Sequence, residues 1–234
     1  MHRFYAPDIE STLQLPDEEA KHCVRVLRLT AGDSIEVVDG KGNLFDCRIA
    51  NADAKRCGVE MLNKKSIPPH WGCNITIAIA PTKNLDRIEW MVEKVTEMGV
   101  DRIIPLLCRH SERKVLKTER LQKIIVSAMK QSLKATLPQL DELTPIGEVI
   151  KSGFDGKKFI AYCDDEVDRR SFVGEYRKGE NVIIMIGPEG DFSKEEVADA
   201  IDAGFIPVTL GESRLRTETA GLFACAAIHA INQI

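Results

Sequence analysis

The 234-residue chain has no CxxC pair, and its seven cysteines (Cys23, Cys47, Cys57, Cys73, Cys108, Cys163, Cys225) and five histidines (His2, His22, His70, His110, His229) show no metal-ligand spacing. No zinc or iron–sulfur centre is therefore expected. The N-terminus, MHRFYAPDIE, lacks a basic start followed by an apolar run, and no stretch is long and apolar enough to span a bilayer. Neither export nor membrane insertion is expected, and an odd, scattered set of cysteines reads as reduced, buried thiols of a cytoplasmic protein. The dinucleotide fingerprint G-x-G-x-x-G and the phosphate loop G-x-x-x-x-G-K-[ST] are both missing, which argues against nucleotide-phosphate chemistry. Internal repeats and low-complexity segments are absent too.

What is present is a globular balance, 44% hydrophobic and 29% charged, with room for one large domain or a small and a medium one. The net charge of −4 is unevenly spread. Within 109–134, Arg109, Arg113, Lys114, Lys117, Arg120, Lys123, Lys130 and Lys134 face only Glu112 and Glu119. Such a surplus in the middle of the chain favours a polyanionic partner over a merely solvated surface.

Two patterns divide the chain. SIEVVDG, NLFDCRIA and CGVEML (34–62) alternate apolar and polar residues, and Asp39-Gly40-Lys41-Gly42 is a hairpin signal. This predicts a small, barrel-like β domain. PDEEAKHCVRVLRL (16–29) predicts a helix before it, with Lys21, Arg25 and Arg28 on one basic face. After the proline-bearing linker KKSIPPHWG (64–72) the pattern becomes strand–helix alternation: ITIAIA (75–80), a helix ending at Gly99, RIIPLL (102–107), a helix after Thr118, KKFIAYC (157–163), ENVIIMIG (180–187), a helix from Ser193 to Gly204, FIPVTLG (205–211) and a final helix. The expected organisation is α+β in two domains, 1–72 and 73–234, the second an α/β domain with a largely parallel sheet.

In open α/β sheets ligands bind beyond the C-terminal strand ends. That directs attention to three loops: YCDDE, GPEGDF and LGESRLRTETAG. The second is hostile to phosphate, because Pro188 has no N–H to donate while Glu189 and Asp191 are acids. Its glycines instead suit backbone approach to an uncharged or cationic ligand. Ser193 and Glu196 form a capping box, so the following helix needs no ligand to begin. In the last loop Arg214, Arg216 and Glu218 crowd the start of a helix that is apolar nearly all round and expected to be buried, in part against another chain. A structural Arg216–Glu218 pair and a direct ligand role both remain open there.

IGPEGDFSKEE (186–196) followed by LGESRLRTETA (210–220) resembles the RsmE family, the 16S ribosomal RNA N3-uridine methyltransferases of the SPOUT class. RFY near the start, HCVRVLRLTAGDSIEVVDGKG, KNLDRIEWMVEKVTEMGVDRIIPLLCRHSER and MKQSLKATLPQL extend the likeness over essentially the whole chain. The resemblance implies a PUA-like N-terminal β-barrel for RNA and a SPOUT domain with a trefoil knot. It further implies S-adenosylmethionine as cofactor, a homodimer, and 16S ribosomal RNA or the small ribosomal subunit as partner. Cofactor contacts carry over to Tyr162 and Cys163 in the first loop, to Ile186, Gly187, Pro188, Glu189 and Gly190 in the second, and to Leu210, Gly211, Leu215, Arg216, Thr217 and Ala220 in the third. RNA contacts carry over to Arg3, Lys21, Arg25, Arg28, Arg109, Arg113, Lys130 and Lys134. Where many relatives have Glu-Gln-Ser-Gly-Arg, this chain has Lys130-Gln131-Ser132-Leu133-Lys134, and a lysine cannot replace an arginine's bidentate grip on phosphate. Catalytic expectation falls on Arg216 for the developing negative charge, on Glu218 to orient it, and on Arg3 if a partner subunit's small domain caps the site. Glu189 and His22 are weaker proton-transfer candidates. The competing expectations are a SPOUT enzyme acting on another RNA nucleotide, or an RNA-binding assembly factor without catalysis.

Overall fold

A computed structural model describes residues 2–163 and 168–234. The chain divides into two compact units, Met1–His70 with Val126–Leu137, and Trp71–Ile125 with Pro138–Ile234.

In the first unit, β1 (Arg3–Tyr5), α1 (Ile9–Thr12) and α2 (Asp17–Lys21) precede β2 (Ser34–Val38), β3 (Asn43–Asn51) and β4 (Gly58–Ser66). The strands form one sheet in the order β1-β2-β3-β4, with β1 and β2 parallel and the other pairs antiparallel. Period-two alternation sends Ile35, Val37, Phe45, Cys47 and Ile49 into a core shared with Phe4, Ile9, Ala20 and Cys23. The opposite face is covered as well: Val38 and Leu44 are buried against Met129 and Ala135. The predicted turn is real, and its device is Asp39, whose carboxylate accepts the Lys41 and Asn43 N–H groups at 2.7 and 3.1 Å while Gly40 and Gly42 take positive φ.

Two expectations for this unit are corrected. Barrel closure is not made by strand pairing among the described residues, since β1 and β4 end an open path. Instead Leu13–Leu15 extends the β4 edge, through Leu15 N–H to Cys57 O and Val59 N–H to Leu13 O, both 2.9 Å. The helix over 16–29 also does not run as one α-helix. After α2 it widens into a π-turn over His22–Val26, where Leu27 N–H donates to His22 O, and Arg28 leaves it with φ +56°. Lys21, Arg25 and Arg28 are exposed but do not share one α-helical stripe.

The second unit strings together β5 (Ile75–Ile79), α3 (Leu85–Met98), β6 (Arg102–Leu107) and α4 (Thr118–Gln131), whose last turns fall in the first unit. It continues with β7 (Gln139–Leu140), β8 (Thr144–Pro145), α5 (Ile146–Lys151), β9 (Lys157–Ala161), β10 (Arg170–Ser171) and α6 (Phe172–Glu175). It ends with β11 (Val182–Ile186), α7 (Lys194–Asp202), β12 (Ile206–Thr209) and α8 (Thr217–Gln233). The sheet order is β10-β12-β9-β11-β5-β6-β7, with β8 also on β6, and every pairing is parallel. Central β5 and β11 are buried along their whole length, as their continuous apolar sequences require. α3 is capped by the Asn84 side chain and stopped by Gly99, and it lays Ile88, Met91, Val92 and Val95 inward beside α8. Among the described residues no helix is long and apolar enough to cross a membrane.

Candidate active site

Because all the pairings are parallel, β9, β11 and β12 finish at one edge of the sheet. A cavity of about 900 Å³ opens there. Its floor comes from Ile186, Gly187 and Pro188 after β11, one wall from Tyr162 and Cys163 after β9, and another from Leu210, Gly211 and Leu215 after β12. Thr217 and Ala220, on the first turn of α8, close the back. These ten were all singled out in the sequence. Glu189, Gly190 and Arg216 do not line the cavity.

Direct bonds tie the three loops together. The Cys163 N–H donates to Asp191 Oδ2 at 3.1 Å, the Thr217 hydroxyl to Gly187 O at 3.1 Å, and the Tyr162 N–H to Val208 O at 3.3 Å. Arg169 adds an Nη1 bond to Tyr162 O at 3.0 Å. Pro188–Asp191 is a tight turn, closed by Asp191 N–H to Pro188 O. From the far side His110 Nδ1 lies 3.1 Å from both Gly190 O and Asp191 O, so that nitrogen carries the proton and donates. Glu189 does not line the cavity, and its Oε1 accepts the Lys83 N–H at 3.1 Å.

Of the two readings left open for the third loop, the Arg216–Glu218 pair is not made. Glu218 is buried, and its ion partner is Arg87 on α3 at 3.8 Å, not Arg216. Arg216 is the N-cap residue of α8, exposed, with lining residues on either side and no side-chain partner among the described residues. Lost solvation and then the Asp191 carboxylate push the Cys163 thiol above its ordinary range, against the lowering pull of Arg214 and Arg169.

Sequence reasoning missed Asp191, Arg169, Arg214, Glu212 and Ser213 as cavity residues. The last three sit inside the motif LGESRLRTETA and could have been inferred from it. Arg169 had no motif to flag it. Of YCDDE, Asp164–Glu166 lie outside the described residues.

Residues 69–229 match the family model for the RNA methyltransferase domain, and residues 15–62 match that for the RNA methyltransferase PUA domain. The chain belongs to this RNA methyltransferase family. A ribosomal RNA small subunit methyltransferase E from Synechocystis is 30% identical, over 95% of this chain and 74% of that protein. A structure described as a probable rRNA-methyltransferase from Porphyromonas gingivalis is 50% identical with a TM-score of 0.94, covering 100% of this chain and 99% of that one. The ribosomal RNA small subunit methyltransferase E of Neisseria gonorrhoeae, solved bound to S-adenosylmethionine, is 31% identical with a TM-score of 0.86, over 99% and 98% of the two chains.

For an RNA methyltransferase the state of the basic residues matters, and they fall into two groups. Arg3 is held by Glu36 through Nε and Nη2 at 3.0 and 2.7 Å, with its side chain only 9% exposed. Lys130 pairs with Glu19, Arg109 with Glu195 at 3.1 Å, and Arg113 donates to the Thr82 and Lys83 carbonyls. These four have intramolecular work. Lys21, Arg25 and Arg28 are exposed, and Lys134 is half-buried. Among the described residues no cluster of His, Cys, Asp and Glu could hold a metal ion.

Proposed function

We propose that this RNA methyltransferase transfers the methyl group of S-adenosylmethionine to N3 of a uridine in 16S ribosomal RNA of the small subunit. The observation that carries the reading is the cavity at the ends of β9, β11 and β12, with Pro188 where a phosphate site would need an N–H. The residues present fit the cofactor. Tyr162, Ile186, Val208, Leu210 and Leu215 supply apolar walls for an adenine ring. Leu210 and Leu215 make no backbone hydrogen bond within the described residues, so their amides can meet a polar ring edge. Gly211, at φ +130°, has open space where a Cβ would stand and lets backbone approach a ligand closely.

Bound there, S-adenosylmethionine supplies an electrophilic methyl on a sulfonium. The protein's part is to hold an unpaired or extruded uracil against it, exclude water, and stabilise the negative charge that develops as the N3 proton leaves. Arg216, exposed beside the cavity, is suited to that charge. Glu218 acts at a distance, fixing the start of α8 through Arg87. Arg3 is committed to Glu36, which speaks against a catalytic part for it. Division of labour follows the expected domains, with RNA held through 1–72 and chemistry in 73–234. A SPOUT-class knot is what the resemblance of IGPEGDFSKEE and LGESRLRTETA to that class carries with it. Homodimerisation is supported by exposed Trp90 and Phe223 on the packed pair α3 and α8. The cytoplasm, where ribosomes are built, is the matching compartment.

Labelled S-adenosylmethionine incubated with small subunits, and separately with naked 16S RNA, tests the reading. N3-methyluridine after nucleoside digestion is the expected product; no transfer to either substrate, with no cofactor binding, would sink it. RNA affinity is expected to rest on Lys21, Arg25 and Arg28. Replacing all three by alanine should make the plot of log affinity against log salt shallower by about 2, with unchanged melting. An unaltered slope would assign the electrostatics elsewhere.

A further inference from the structure

Asp191 has left-handed backbone, φ +61°, at a turn position where glycine is the unstrained occupant. An aspartate tolerates that geometry only at some cost, and here the side chain has work that offsets it. Its Oδ1 accepts the Phe192 N–H at 2.8 Å and its Oδ2 accepts the Cys163 N–H at 3.1 Å, across from the loop after β9. The carboxylate also lies over Gly187, where a Cβ would come 3.3 Å from Oδ1 and 3.2 Å from the Phe192 ring. Phe192 itself is buried in the core beneath α7. One side chain thus touches the glycine turn, the core residue that anchors it, and the first loop of the cavity, while itself lining that cavity.

We propose that Asp191 is a positioning residue whose carboxylate clamps the Tyr162–Cys163 loop onto the glycine turn and thereby holds the cofactor cavity in its binding shape. The effect on the cofactor rests on the methyltransferase reading; the clamp itself does not. Charge-assisted hydrogen bonds of this kind are the strong ones, and among the described residues the Cys163 amide donates to Asp191 alone.

Substitutions at 191 separate this role from a structural one, because backbone strain and the clamp pull in opposite directions. Asp191→Gly removes the strain, so melting temperature should hold or rise, while S-adenosylmethionine affinity falls about tenfold for loss of one charged hydrogen bond. Asp191→Asn tolerates the same backbone and keeps one acceptor oxygen, so its affinity should lie between the two. Amide hydrogen exchange supplies a readout free of any ligand. In Asp191→Gly the Cys163 amide should lose protection while Val182–Ile186 keep theirs. Unchanged Cys163 protection would overturn the clamp. Lost protection with wild-type cofactor affinity would overturn its link to binding. A wild-type protein that binds no S-adenosylmethionine would overturn the methyltransferase reading, and the exchange result would still decide the clamp.

Discussion

Arg216→Ala is expected to lower the rate of methyl transfer by roughly 10²–10³-fold, the usual consequence of removing a donor from developing charge. Melting temperature and S-adenosylmethionine affinity should stay near the wild-type values. The structural reason is that the Arg216 guanidinium is exposed, does not line the cavity, and has no partner among the described residues, so its loss strands no buried group. Its place in the chain is nonetheless next to the chemistry, between Leu215 and Thr217, with Thr217 fastened to Gly187 O. Arg216→Lys should restore only part of the rate, since a point charge replaces a planar fork. Single-turnover transfer measured beside calorimetric cofactor binding separates the two quantities. A variant with intact turnover would move the charge-stabilising role away from α8, and Arg214 on the same loop would be the next residue to test.

Gly99→Ala carries a large expected effect on stability. Gly99 ends α3 at φ +123°, and a Cβ built there would lie 2.5 Å from two carbons of the Trp71 ring. That ring cannot retreat, because its Nε1 donates to Asp101 at 2.9 Å and the same carboxylate oxygen accepts the Ile75 N–H at 2.8 Å. Burial holds the Asp101 carboxyl above its ordinary range, and those two donors partly oppose the shift. The Gly99 carbonyl in turn accepts from His229 Nε2 at 2.7 Å on α8, so displacing it loosens the last helix as well. Overpacking and positive-φ strain together should cost about 3–5 kcal/mol, a fall in melting temperature of roughly 6–20 °C for a chain of this size. Shortening the obstructing side chain separates the steric part. In a thermal-melt cycle, Gly99→Ala should cost clearly less in a Trp71→Ala background than in the wild type. Equal costs in both backgrounds would mean that backbone strain alone is responsible.

The second unit's architecture was legible because its strands are long apolar runs and its helices keep a clear stripe. ITIAI, VIIMI and the Ile88–Val95 face are signals that local patterning cannot disguise. The capping box at Ser193 and Glu196 was equally plain, and both of its bonds are made. Elements of two to four residues, such as β7, β8, β10 and α6, carry too few side chains to show a period. The π-turn at His22–Val26 eluded the reading for a related reason, since apolar spacing in a short helix does not distinguish widened turns from regular ones.

At the site, the sequence by itself showed the character of the cavity floor: a glycine followed by a proline without an N–H, with Asp191 close by, makes a poor phosphate cradle. It also determined which loops carry the cavity, through motifs whose residues lie close along the chain. Only the tertiary structure decided the partners. Glu218 meets Arg87 and not Arg216, Glu189 is taken by the Lys83 amide, and Arg3 and Lys130 are held by Glu36 and Glu19. Each of those bonds joins residues more than thirty positions apart, and one carboxylate has many cations within its charge range but room for few within hydrogen-bond reach. Which one it gets is set by the packing of strands and helices, a property of the whole chain that no local pattern contains.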